Sequence, residues 1–404
     1  MKSILNNKTI LVTGSSGFIG SNLCKRILKE GKEVENRTGI NTIKVPSHTF
    51  EFDLSKEHPT LETKLTANKN AIIEMLWIWQ MQSNDIRELQ KRKVKIWNEW
   101  MIDDDGIYRI YEPVIPGKEY VYVPEKEVVV MDPLSVPISD PFGYRNQMQP
   151  KYDESGNIMT AKSKISGKTI RAAKYFGKEY AYTDGTAYGW LTNRYEMTQD
   201  LQHTLRNYPT DRRIVKSLWQ NEFLRTEVLP SCVWSTEWDV TNGKLNLSVH
   251  HRSCDVPLGL QFNVTQYATF LRMMAQTTDL EPGIVSYSIK DAHIYINQLE
   301  EMKEQLWRWD RYHELKTKSE NELYHYNLYL DKLIKENSDG SEKKLRMLDS
   351  EKRMIDMILN PTTPELWLNP EIKDFFDFDN SRELKDVKVK GYKHMGKLPI
   401  PIAQ

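Results

Sequence analysis

The sequence predicts one large mixed unit of strands and helices, α/β or α+β, interrupted by two insertions. Three observations predict it. Core-like text, with alternating strands and apolar helical runs, fills 35–105 and resumes over 181–298. Between them, 106–180 is rich in Pro, Gly, Tyr and Val, with short β-prone bursts that prolines separate. After them, 299–362 is charged and helical in pattern. The 404 residues also allow two or three domains, at roughly 100–200 residues each.

Taken in order, Thr9 to Val12 reads as a strand and Ser21 to Glu30 as a helix. Between them the turn Thr13-Gly14-Ser15-Ser16-Gly17-Phe18-Ile19-Gly20 has the pattern Gly-x-x-Gly-x-x-Gly. Such a turn lets backbone N–H groups and a helix N-terminus meet a pyrophosphate, and it resembles the opening of extended short-chain dehydrogenases and epimerases. The likeness stops near Val34, without the further strands and helices that binding needs, so 1–34 is expected as an extension and NAD is not expected as a cofactor. A turn at Asn36-Arg37-Thr38-Gly39, a strand around Phe50, Phe52 and Leu54, and an apolar helix from Ala71 to Trp79 make the first core part. Within 106–180, Tyr120 to Val123 and Val128 to Met131 read as strands of a β-rich insertion. The second core part holds a strand at Lys244 to Val249 and a helix from Phe262 through Ala275. Leu306, Leu315, Leu323, Leu330 and Leu333 mark one side of a helical hairpin, broken at Asn337-Ser338-Asp339-Gly340-Ser341. The last part, 363–404, returns to short strands.

Fifty-six basic residues balance 56 acidic ones, so no global field gathers nucleic acid or an anionic membrane, and a local Arg cluster for a small anion is favoured. Three cysteines, at 24, 232 and 254, form no disulfide framework and fit a reducing compartment. With no apolar run of about 18 residues, a soluble cytoplasmic protein is expected.

The chemistry gathers around Cys232, in Leu229-Pro230-Ser231-Cys232-Val233-Trp234, and Arg252-Ser253-Cys254-Asp255 some twenty residues on. A cysteine is useful as a nucleophile where cationic neighbours stabilise its thiolate, and otherwise serves as a small buried hydrophobe. Glu74 stands on an otherwise apolar helix, where burying a carboxyl is costly without a purpose.

The run Arg252 to Val264, with Cys232 upstream and Asp291-Ala292-His293-Ile294-Tyr295 downstream, closely resembles the signature of thymidylate synthases. So do Asn36-Arg37-Thr38-Gly39, Thr63-Lys64, Ile72 to Trp77, Ile96-Trp97-Asn98-Glu99-Trp100, Ala187-Tyr188-Gly189, Asp211-Arg212-Arg213-Ile214 and Pro364 to Pro370. The ordered blocks cover most of 35–404 and leave out the N-terminal stretch and both insertions. The resemblance implies an α+β core with a large mixed sheet whose back face forms a homodimer interface. It implies methylation of dUMP to dTMP by 5,10-methylenetetrahydrofolate, the folate giving both one carbon and a hydride, with no metal.

By the same resemblance Cys232 attacks C6 of uracil. Arg37, Arg252 and Ser253 bind the phosphate, and Arg212 with Arg213 reach it from the partner subunit, guanidinium forks suiting phosphate. Asn263 reads the pyrimidine edge with one donor and one acceptor, which favours dUMP over dCMP. His293 and Tyr295 hold the deoxyribose hydroxyl. Glu74 organises proton transfer near O4, and Tyr188 assists removal of the C5 proton. Asp255, at the border of the nucleotide and folate sites, joins Trp97, Lys64 and the C-terminal tail on the folate side.

Val233 stands where many members have His, Ser231 and Gln261 where Pro is common, and the chain ends Ala403-Gln404 where Ala-Val is frequent. Two other outcomes therefore stay open. One is a dUMP hydroxymethylase of the phage type, which lets water capture the methylene. The other is a nucleotide- or RNA-binding homologue with weak turnover. An epimerase-like oxidoreductase needs Tyr-x-x-x-Lys, and Tyr175-Phe176-Gly177-Lys178 lacks that spacing.

Overall fold

Phe50 and Phe52 alternate with Thr49 and Glu51 along the strand His48–Asp53, and this period of two places one apolar face on the core. In the computed structural model, which describes residues 18–36, 38–112, 121–123, 126–337 and 340–402, that strand edges a five-stranded sheet. The order across it is His48–Asp53, Glu281–Ile289, Lys244–His251, Val233–Thr241 and Val215–Ser217. Lys244–His251 runs parallel to Glu281–Ile289 and every other pairing is antiparallel, so the sheet is mixed. A register shift between Val233 and Ser235 kinks the strand that begins just after Cys232.

Helix Gln261–Thr277 lies on this sheet, and helix Asn68–Trp79 packs on that helix in turn. Phe270 joins the layers, its ring 5.2 Å from Trp238 of the sheet and 4.9 Å from Trp79. Ala71 to Trp79 is buried throughout, as expected of a helix apolar on all sides. Each such Leu, Ile or Met contributes about 1.5–3 kcal/mol on leaving water. The Trp77 indole is satisfied by Asp85 O at 3.1 Å.

A second sheet orders Lys32–Val34, Thr42–Val45, Ala292–Tyr295 and Cys254–Asp255. Helix Phe18–Glu30 packs beside it, with Leu23, Cys24 and Ile27 in the main core and the Cys24 thiol donating to Met302 Sδ at 3.8 Å. The helix that the sequence sets apart as an extension therefore belongs to the main core. The Thr9–Val12 strand and Gly14 and Gly17 of the turn lie outside the described residues, as do Tyr120, Arg37 and Ala403-Gln404.

The β-rich segment forms strands Ile107–Tyr111, Val128–Asp132, Gln149–Pro150, Thr160–Ala161 and Ile170–Tyr175, around a small core of Ile107, Val130, Ala161, Ile170 and Ala173. Val121–Val123 is not a strand. The expected helical hairpin is instead three helices, Leu299–Leu315, Glu320–Glu336 and Glu342–Leu359. An extra break falls before Ser319, whose hydroxyl and backbone exchange hydrogen bonds with Glu322 and start a new helix. Ser338 and Asp339 of the expected break lie outside the described residues. Leu315, Leu323 and Leu330 fill a separate core with Leu348, Met354 and Met395. Strands Glu365–Leu368 and Val387–Lys390 pair near the C-terminus.

Candidate active site

Cys232 sits where the loop Leu229–Ser231 enters the strand Val233–Thr241, fourth of the five, and three groups fix it. Its N–H donates to the Tyr188 hydroxyl at 2.8 Å, its carbonyl accepts from Arg252 N at 2.9 Å, and Arg252 Nη2 lies 3.8 Å from its sulfur. Arg252 is itself anchored, donating from Nε to Ser231 O at 3.0 Å and from Nη2 to Pro230 O at 2.6 Å, with Trp219 beneath its guanidinium. Cys232 is half-buried, whereas Cys24 and Cys254 are buried and burial pushes both thiols up, Cys24 to about 12. Only Cys232 combines access with a cation beside it, which is what a thiolate nucleophile needs.

Tyr188 has φ +41°, a conformation that costs a non-glycine residue energy and is held by its surroundings. The next residue is Gly189, where a Cβ would lie 1.8 Å from Ser83 O, so nothing larger allows this approach. The Trp97 ring meets Tyr188 edge-on at 5.2 Å and Trp100 at 5.6 Å, giving an aromatic wall next to the nucleophile.

Glu74 projects from helix Asn68–Trp79 into this buried region. Burial pushes its carboxyl up to about 7, while Trp97 and Gln266 pull it part of the way back. Its Oε2 has no hydrogen-bond partner. Gln266 Oε1 accepts from Asn263 Nδ2 at 2.8 Å, so Gln266 stands between the acid and the amide. Deprived of partners, buried polar atoms of this kind suit a polar ring with its own donors and acceptors.

Asp255 and His293 are register partners on the parallel strands Cys254–Asp255 and Ala292–Tyr295. His293 Nδ1 lies 3.1 Å from Asp291 O, its ring packs against Tyr295, and Ser253 Oγ donates to Asp291 Oδ2 at 3.3 Å. Burial raises the Asp255 carboxyl, which Gln298 Nε2 meets at 3.0 Å while also donating to Pro401 O at 3.0 Å. Lys64 is buried rather than extended into solvent. Its ammonium donates to Pro257 O, and burial draws it down to about 8.

Cys232, Arg252, Tyr188, Glu74, Trp97 and, through Gln266, Asn263 thus come together, with Ser253, Asp255, His293 and Tyr295 on the adjoining strands. Arg212 and Arg213 do not join them: both are exposed after helix Met197–Asn207, and Arg213 grips Asp211 at 2.8 Å. Gln266, Gln298 and Trp219 were missed. Gln266 had a signal, three residues after Asn263 on one helix face; for Trp219 and Gln298 only tertiary contact reveals the role. Two further buried acids escaped notice, Asp184 and Glu227, which adjoin through the Gly185–Glu227 bridge and carry oxygens without partners. Burial lifts both, Glu227 to about 8. Among the described residues no group of three or more His, Cys, Asp or Glu is placed to hold a metal, and no helix is long and apolar enough to cross a membrane.

The thymidylate synthase family model matches residues 21–333. The chain is 30% identical over 368 residues to the thymidylate synthase of Clostridium beijerinckii, covering 91% of each. It is 29% identical to that of Bacillus phage phi3T, over 91% of this chain and 87% of the relative. Among solved structures, the thermostable thymidylate synthase A from Bacillus subtilis superposes with a TM-score of 0.58 at 27% identity, covering 95% of this chain and 97% of that one. A shared cysteine loop could arise by convergence, but likeness sustained from the N-terminal helix to the C-terminal segment cannot, and so the chain belongs to the thymidylate synthase family.

Proposed function

We propose that this enzyme converts dUMP to dTMP by reductive methylation, with 5,10-methylenetetrahydrofolate as co-substrate and Cys232 as nucleophile. The observation that carries the assignment of roles is the seating of Cys232 between the Tyr188 hydroxyl and the Arg252 guanidinium. Attack of the Cys232 sulfur on C6 makes C5 nucleophilic, replacing one difficult step with easier ones. Arg252 serves twice, holding the loop and binding phosphate with Ser253 and Arg37. Asn263, steadied by Gln266, pairs with the uracil edge. Glu74, poised near neutrality, holds and releases a proton on the O4 side. The Tyr188 hydroxyl accepts at the nucleophile's backbone and assists loss of the C5 proton. His293 and Tyr295 bind the sugar hydroxyl.

The folate, when bound, supplies the one-carbon unit and the hydride. Trp97 offers it an aromatic face, Asp255 a carboxyl, and Lys64 steadies the adjoining turn through Pro257 O. The exposed Arg212 and Arg213 fit a homodimer in which each subunit lends them to the other's phosphate site, acting in the cytoplasm. The test mixes protein, dUMP and methylenetetrahydrofolate, follows dihydrofolate by absorbance and identifies the nucleotide by mass. Dihydrofolate with dTMP, both lost in Cys232→Ser, supports the assignment. Hydroxymethyl-dUMP without dihydrofolate makes the enzyme a hydroxymethylase, and binding without product makes it a binding homologue.

A further inference from the structure

The three-helix unit at 299–359 has no role in the chemistry above, yet it grips the C-terminal segment of the chain. Met395 is buried with Leu315, Leu323, Leu330, Leu348 and Met354, so one tail side chain completes the small core of the helices. Lys393 Nζ donates to Asp356 Oδ2 at 2.7 Å and Asn360 O at 2.9 Å, at the end of helix Glu342–Leu359. Gly396 has φ +96°, and a Cβ there would face Asp349 and Arg353 of the same helix at about 3.5 Å.

Arg308 ties the other side. Its side chain has no exposure, and it donates to Gly396 O at 3.2 Å, Lys397 O at 2.9 Å and Thr63 O at 3.0 Å. Glu304 accepts from Arg308 at 2.9 Å and from Arg346 at 2.7 Å, which carries the connection to helix Glu342–Leu359. The tail also pairs with the loop around Lys64: Met395 N donates to Glu62 O at 2.7 Å and Leu65 N to Gly396 O at 2.9 Å. Beyond this clamp the chain runs to Pro401, whose carbonyl shares Gln298 Nε2 with the Asp255 carboxyl. A buried, many-partnered pivot therefore stands a few residues before a contact that reaches the candidate site.

We infer that the three-helix unit positions the C-terminal tail, with Met395, Lys393 and Arg308 as positioning residues that set how residues 398–402 meet Asp255. The inference rests on the proposed function for its consequence. A tail held on a fixed pivot excludes water while the nucleotide's methylene awaits hydride. When the pivot loosens, water adds its oxygen to that methylene, the C6–sulfur bond breaks so that Cys232 leaves as thiolate, and one proton is released, leaving hydroxymethyl-dUMP and unoxidised tetrahydrofolate. The unit thus governs which product leaves, without touching substrate.

The test compares Met395→Ala, Met395→Leu and Lys393→Ala in the full chain by two readouts. Hydrogen exchange of the Leu398, Ile400 and Ile402 amides is expected to speed up at least tenfold in Met395→Ala, and less in Lys393→Ala, whose partly exposed side chain leaves the fold intact. Dihydrofolate per dUMP consumed is expected to fall in the same order as hydroxymethyl-dUMP appears, with dUMP binding unchanged and Met395→Leu restoring both. Unchanged exchange and product ratio in the two alanine variants overturns the inference. A wild type that forms no dTMP sinks the proposed function instead, and the exchange readout then decides the clamp alone.

Discussion

Arg252 lies 3.8 Å from the Cys232 sulfur and also carries the loop that presents it, through Pro230 O and Ser231 O. One guanidinium thus couples charge at the nucleophile to its position, and a lysine, with a single nitrogen, cannot do both. Arg252→Lys is expected to lower kcat/KM about 10- to 100-fold. Cys232→Ser is expected to lower it by about a thousandfold or more while dUMP still binds. Steady-state kinetics with dUMP binding by calorimetry checks both; equal loss of binding and turnover in Cys232→Ser contradicts the nucleophile assignment.

Glu74 predicts two pH effects. Its carboxyl, raised from 4.5 to about 7 mainly by burial, should appear as an inflection near 7 in kcat/KM that Glu74→Gln removes along with most activity. Stability depends on the same proton. Between about 4.5 and 7 the unfolded chain has lost it and the folded chain keeps it, so stability falls as pH rises, by about 3 kcal/mol in full. Glu227, raised to about 8, acts in the same direction and extends the window upward. Urea unfolding at pH 5 and pH 8 should show a smaller difference in Glu74→Gln than in wild type.

How far the residues alone disclosed this arrangement differs from part to part. Phe50 and Phe52, the apolar run to Trp79 and the helix through Phe270 were legible because period and burial coincide. The break at Ser319 was passed over because a four-residue connection between charged helices leaves little pattern, and its capping box is polar text within polar text. At the site, residues on motif blocks were nameable, but Gln266, Gln298, Asp184 and Glu227 matter only through partners distant in the chain. Lys64 shows the converse, a lysine whose type suggests solvent and whose packing turns it inward.

His58 is buried with both ring nitrogens unpartnered, and burial with the nearby Arg272 draws it from 6.5 down to about 3. Below 6.5 the unfolded chain takes up a proton that the folded chain refuses, so stability is lost as pH falls toward 3. His58→Phe removes two unsatisfied buried nitrogens at similar volume and should stabilise by about 1–3 kcal/mol near pH 7. It should also flatten the acid limb of the unfolding profile, leaving the part due to His251, which is likewise drawn down to about 3. An unaltered acid limb in the variant would remove His58 from this role.

Arg213 is 88% exposed and locked on Asp211, and Arg212 beside it is exposed, so neither serves the Cys232 of its own chain in this arrangement. If they act across a two-fold interface, each site mixes residues of two chains. At dUMP well below saturation, Cys232→Ser chains and Arg212→Ala/Arg213→Ala chains should each be nearly inactive alone. Refolded together in equal amounts, half of the dimers are mixed, and each mixed dimer has one complete site. Activity should then return to about a quarter of wild type. The loss in the double-arginine variant should fall on KM for dUMP, because a forked guanidinium on a phosphate contributes binding energy. A mixture no more active than its components, although sedimentation shows mixed dimers, places both arginines in their own chain's surface chemistry.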